Sequence, residues 1–187
     1  MNDIANTGAT NVDKRIQIML IHGGFHGVWV WGKVVDRLAA LGWSAQTVAL
    51  PSVAAKDQPR YGMHDDAVAV RRRLEVIEDP VVVVAHSYGG IVATQAAVGL
   101  KNVAHIIYLA AFQLDVGDSL LGVVGGPAPW WIVEDDMLSA GRPFETFFPM
   151  CLLMTPGGRL SVYCLRVIPL LQNSLRRRRG VRSSPPM

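Results

Sequence analysis

The sequence predicts an α/β fold, a doubly wound and mostly parallel sheet whose C-terminal part is incomplete. Three observations predict it. Short apolar runs alternate with stretches of helical periodicity from Arg15 to Ala110. Val81 to Ala85 is a continuous run dominated by β-branched residues, the pattern of a central parallel strand buried on both faces. A serine-centred turn, Ala85-His86-Ser87-Tyr88-Gly89, then joins that run directly to a helical stretch.

The elements follow in order. Residues 1–13 are polar and predict a disordered lead-in. Arg15 to Ile21 is a short apolar strand ending in His22-Gly23-Gly24, where the backbone must turn tightly or approach a neighbour closely. Trp31, Val34, Val35, Leu38 and Leu41 have helical spacing, and Gly42 is a natural residue to end that helix. Ser44 to Leu50 reads as a second strand, stopped by Pro51. His64 to Ile77 is an amphipathic helix, with Ala67, Val70, Leu74 and Ile77 opposite Arg71, Arg72 and Arg73. After the Val81–Ala85 strand, Ile91 to Leu100 is helical and Val103 to Ala110 is another continuous apolar strand. Residues 113–148 hold turns and then an acidic piece, Glu134 to Phe148, expected to be helical. Together they read as a partial cap over the carboxyl ends of the strands. The organisation is thus a core over 14–149 and a divergent, disordered tail over 150–187.

Composition narrows the function classes. A chain of 187 residues suits one domain with a sizeable core, and half of its residues are hydrophobic. The apolar runs are far too short to span a bilayer, and the N-terminus has no apolar signal-like region. The expectation is a cytoplasmic protein that binds neither membrane nor nucleic acid. Residues 1–149 carry 15 acids against 11 cations, whereas 150–187 carry seven arginines and no acid. The basic balance therefore belongs to the tail. Arg176 to Arg179 lacks interleaved aromatic residues and reads as a solvated basic end. Cys151 and Cys164 match no metal spacing, so no metal is expected.

The serine turn carries the chemistry. A sharp strand-to-helix turn holds a hydroxyl out at the sheet's carboxyl edge. Small residues at Ala85 and Gly89 let strand and helix approach closely around it. The alternative, a serine that only caps the helix, does not account for that context on both sides. An attacking serine also needs N–H donors for the oxyanion. They come from the residue after the nucleophile and from an early loop, which nominates the N–H groups of Tyr88 and Gly24. His22, Phe25, His26 and His86 stand close enough in sequence to line the same pocket.

Residues 16–148 resemble the α/β-hydrolase superfamily. The segments Leu20 to Trp31 and Ile106 to Phe112 are similar to its small-ester branch of methylesterases, hydroxynitrile lyases and pyrethroid esterases. The resemblance implies Ser87 as nucleophile, Gly24 and Tyr88 as oxyanion hole, a small ester as substrate and no cofactor. It also implies a later acid and a histidine base. Of five histidines only His105 follows Ser87, and it lies near the amino end of its strand, on the wrong edge of a parallel sheet. Asp115 and Asp118 are the acids placed after that strand.

The expectation is therefore a serine-hydrolase scaffold of doubtful activity. The alternatives are a lyase of hydroxynitrile-lyase type, or a non-catalytic relative truncated or frameshifted after about Phe148. Read one base earlier, the codons of Met150 to Gly158 can spell Asp-Val-Pro-Pro-Asp-Asp-Ala-Arg-Trp. Only the Val and the third Asp of that string are forced. The apolar stretch Leu160 to Leu171 predicts poor solubility.

Overall fold

The computed structural model describes residues 16–54, 61–115, 120–134, 137–142, 146 and 164–166. The lead-in 1–13, Asp118 and most of the tail lie outside the described residues.

One parallel sheet organises the core. Its strands are β1 (Gln17–Ile21), β2 (Ser44–Val48), β4 (Val81–His86) and β5 (Val103–Leu109), in the order β2-β1-β4-β5. Each is rich in β-branched or aliphatic residues and bounded by Gly, Pro or Asn, so each pairs as a short strand. The register sets Ile21 beside Ala85 and His86 beside Leu109. Strand order reverses at β1: the chain leaves it for β2 on one side and returns to β4 on the other. The crevice at such a reversal lies beyond the carboxyl ends of the two central strands. Here those ends carry the loop from His22 and the turn at Ser87.

Helices α1 (Gly32–Ala40), α2 (Met63–Glu75) and α3 (Gly89–Ala97) match the periodic stretches, α1 being preceded by a 3-10 turn over Val28–Trp31. Gly42 has φ +83°, which explains why glycine ends the first helix. Helices α2 and α3 pack together on one sheet face. Met63, Val70, Leu74, Ile91 and Val92 meet Val81 and Val83 there in one buried cluster. The two C-termini are satisfied by side chains. Asn102 Nδ2 donates to the carbonyls of Leu74 and Ile77, and Arg71 Nη1 donates to those of Ala96 and Val98.

Among the described residues, the other sheet face is partly uncovered. An apolar groove of about 460 Å³ runs between α1 and β5, lined by residues such as Trp31, Leu38, Val84, Ile107 and Leu109. Among the described residues β5 is the edge strand, with Ile107 and Leu109 45% and 49% exposed.

One expectation is corrected. The acidic piece expected to be helical begins instead as a hairpin, β6 (Trp131–Glu134) against β7 (Met137–Ala140), antiparallel with Trp131 opposite Ala140. The β-branched and aromatic residues Trp131-Ile132-Val133 favour extended pairing over the helix that the acids suggested. A short helix α4 (Leu120–Val124) precedes it. The hairpin belongs to a second sheet of order β3-β8-β7-β6, where β3 is Val53–Ala54 and β8 is Cys164–Arg166, a piece of the tail.

Candidate active site

Ser87 has φ +52°, a left-handed conformation that a non-glycine residue adopts only where its surroundings impose it. The imposition is visible. Its N–H donates to the Leu109 carbonyl at 3.4 Å, and its carbonyl accepts from Gly90 N–H at 3.0 Å and Phe112 N–H at 3.1 Å. The turn is thus pinned between the end of β5 and the first turn of α3. Gly89 is required: a Cβ there would stand 2.6 Å from the His22 carbonyl oxygen and 3.0 Å from Ile21. Glycine lets α3 start directly against the end of β1.

The loop after β1 packs on the same serine. A Cβ on Gly23 would lie 2.9 Å from Ser87 Cβ and 3.0 Å from His86 Nδ1. His22 holds this loop from below. Its Nδ1–H donates to the Gly23 carbonyl at 2.8 Å, and its Nε2 accepts the Leu50 N–H at 3.3 Å, so the ring is neutral with its proton on Nδ1. Burial pushes its pKa below 6.5; the bond to Gly23 opposes that shift, and His26 and His86 add to it. His26 donates from Nδ1 to the Gly24 carbonyl at 2.8 Å. Burial lowers the pKa of His26 and of His86, whose rings stand 5.8 Å apart edge to face. Phe25, at φ +64°, meets Trp130 edge-on at 5.7 Å, and Trp130 meets Trp131 in the same way. Trp130 also lines a cavity of about 410 Å³ with Pro129, Ile132, Arg142 and Thr146.

Sequence reasoning missed one cluster. Tyr88 is buried, and its hydroxyl donates to Asp66 Oδ2 at 2.6 Å. The same oxygen accepts from Ser52 Oγ at 2.5 Å, while Oδ1 accepts Ser52 N–H at 2.8 Å. Asp66 is fully buried. Its carboxyl is pushed up to about 6 by burial, against the pull of these three donors. Tyr88 is pushed well above its ordinary 10 by burial and by the neighbouring carboxylate. The available signal was an acid on the apolar stripe of α2, four residues before Val70.

Other candidates fall outside this arrangement. His105 pairs in register with Val82, five residues before Ser87, or roughly 16 Å along the strand direction, and it is exposed. Asp115 is exposed just after β5. Among the described residues no group of three or more His, Cys, Asp or Glu is placed to hold a metal ion.

The model of the "Alpha/beta hydrolase family" matches residues 18–181. The chain belongs to this family. The matched span includes much of the segment that reads as a divergent tail. Among relatives of this α/β-hydrolase, the Phoma sp. protein named "Probable hydrolase R7" is 34% identical over 116 residues, covering 58% of this chain and 48% of that protein. "Methylesterase 7" of Arabidopsis thaliana is 34% identical over 116 residues, 57% of this chain and 45% of that one. The chain spans about half the length of the curated relatives it matches. A solved pyrethroid hydrolase from Sphingobium faniae shares the fold, with TM-score 0.70 and 21% identity over 87% of this chain and 73% of that one. No helix among the described residues is long and apolar enough to cross a membrane.

Proposed function

We propose that this α/β-hydrolase is a serine-hydrolase scaffold for small carboxylic esters, with Ser87 as nucleophile. The reading is carried by the left-handed Ser87 turn at the carboxyl end of β4, packed against Gly23. Ser87 Oγ attacks the ester carbonyl, the carbonyl π electrons move to oxygen, and the N–H groups of Gly24 and Tyr88 stabilise the resulting oxyanion. Collapse of the tetrahedral intermediate breaks the bond to the alcohol oxygen, which leaves as the alcohol with a proton that replaces, through solvent, the one lost from the Ser87 hydroxyl. The acyl-Ser87 that remains is hydrolysed by water. Phe25, His26 and His86 wall the site, and His22 fixes the loop. The likeness to a methylesterase supports a small ester as substrate.

Serine is a weak nucleophile without a base. Within these 187 residues, His105 is on the wrong edge, and His22 has both ring nitrogens engaged. With the oxyanion donors and binding in place and no base assigned among these histidines, slow turnover is what this reading expects of the 187 residues. Such sites retain on the order of 10³–10⁴-fold over water. The test is turnover of 4-nitrophenyl acetate by the chain and by Ser87→Ala. The reading expects a saturable excess over Ser87→Ala; equal rates in both refute it.

A further inference from the structure

We infer that Asp66 is a positioning residue for the serine turn, acting through the Tyr88 hydroxyl on the peptide that carries the second oxyanion donor. The inference rests on the proposed role of Ser87 and deepens it.

The argument starts from cost. A buried carboxylate on the apolar stripe of a helix is expensive unless its oxygens are fully engaged, and an apolar residue there would pack at less expense. Asp66 is engaged at both oxygens by three donors from two other chain segments. Ser52 lies in the turn after β2, Asp66 on the first turns of α2, and Tyr88 next to Ser87. The carboxylate thus ties α2 and the β2 turn to the residue that follows the nucleophile. Tyr88 is fixed at both ends, its hydroxyl on Asp66 and its carbonyl accepting the Ile91 N–H at 3.0 Å in the start of α3. Rotation of the Ser87–Tyr88 peptide would swing the Tyr88 N–H off the oxyanion and turn the Ser87 carbonyl away from Gly90 and Phe112. Two anchors on one residue, the side-chain hydroxyl and the backbone carbonyl, oppose it. Of the other ionisable groups near the carboxylate, Asp65 is on the same helix and Tyr88 is across from it.

The experiment uses the full chain and three variants, Tyr88→Phe, Asp66→Asn and the double variant. Acetyl transfer from 4-nitrophenyl acetate to Ser87 is followed by peptide mass, with Ser87→Ala as background. Its substrate dependence separates the maximal rate from half-saturation. Amide hydrogen exchange is read in the peptide spanning 84–92 and in β1. Tyr88→Phe should lower the maximal acetylation rate about tenfold with half-saturation unchanged, as a small misplacement of a catalytic donor does. Exchange should rise at 84–92 and not in β1. The double variant should be no slower than the slower single, because Tyr88→Phe already removes the hydroxyl through which Asp66 acts. Parent-like rates and exchange in Tyr88→Phe overturn the inference, as do single effects that multiply. If Asp66→Asn does not fold, Tyr88→Phe alone decides. No acetyl on Ser87 above background in the parent would instead sink the nucleophile reading, and this inference with it.

Discussion

Gly23 lies so close to Ser87 that any Cβ at position 23 would meet Ser87 Cβ at 2.9 Å. The loop after β1 and the turn after β4 are therefore built as one contact. Its size is set by the absence of a side chain.

Adding that side chain should separate function from fold. Gly23→Ala forces the loop off Ser87, and its expected cost is about 1–3 kcal/mol of stability. The acetylation rate should fall on the order of 10²-fold, the effect of displacing a catalytic group by about 1 Å. Gly32→Ala is the control, because a Cβ there meets nothing within 4 Å. Denaturant unfolding and Ser87 acetylation of the two variants check both parts.

The strain at Ser87 predicts an opposed pair of substitutions. Ser87→Gly removes the Cβ that disfavours φ +52°, whereas Ser87→Ala keeps it. Ser87→Gly should be more stable than Ser87→Ala by about 1 kcal/mol, within the range of the left-handed penalty. Both should lose acetylation at residue 87. Equal unfolding midpoints would mean that the turn is not strained.

Acid titration should show two opposing trends. Asp66 has its pKa raised to about 6 from its ordinary 3.8, so the folded state holds that proton more tightly than the unfolded chain. Its contribution is fully present below about 3.8 and is lost as pH rises through about 6, a swing of about 3 kcal/mol. The stability of the parent relative to Asp66→Asn should therefore rise as pH is lowered from 7 to 4. His22, His26 and His86 act the other way. Their pKa values are lowered, so their contribution is present above 6.5 and lost as pH falls below it. With Asp66→Asn in place, stability should fall steadily below pH 6.5. Chemical unfolding in a pH series measures both trends.

What was legible in the sequence was whatever the local chain dictates. The run Val81 to Ala85 had to be a buried strand, and Gly42 had to end a helix, because backbone and burial decide both. The serine turn was legible because strand, small residues and helix follow one another directly. Asp66 was hidden by the averaging of an amphipathic pattern. Its neighbours Asp65 and His64 are polar, so an acid facing inward looks like one facing out. Its partners Ser52 and Tyr88 lie 14 and 22 residues away. The hairpin over 131–140 was misread because acids at Glu134 to Asp136 suggested a helix start, while the pairing of Trp131 with Ala140 is a tertiary fact.

The most direct measurement is peptide mapping after exposure of the chain to 4-nitrophenyl acetate. The account predicts an acetyl group on the peptide bearing Ser87, localised to that residue and abolished in Ser87→Ala. Acetyl groups confined to lysines and the N-terminus, with Ser87 unmodified, would contradict it.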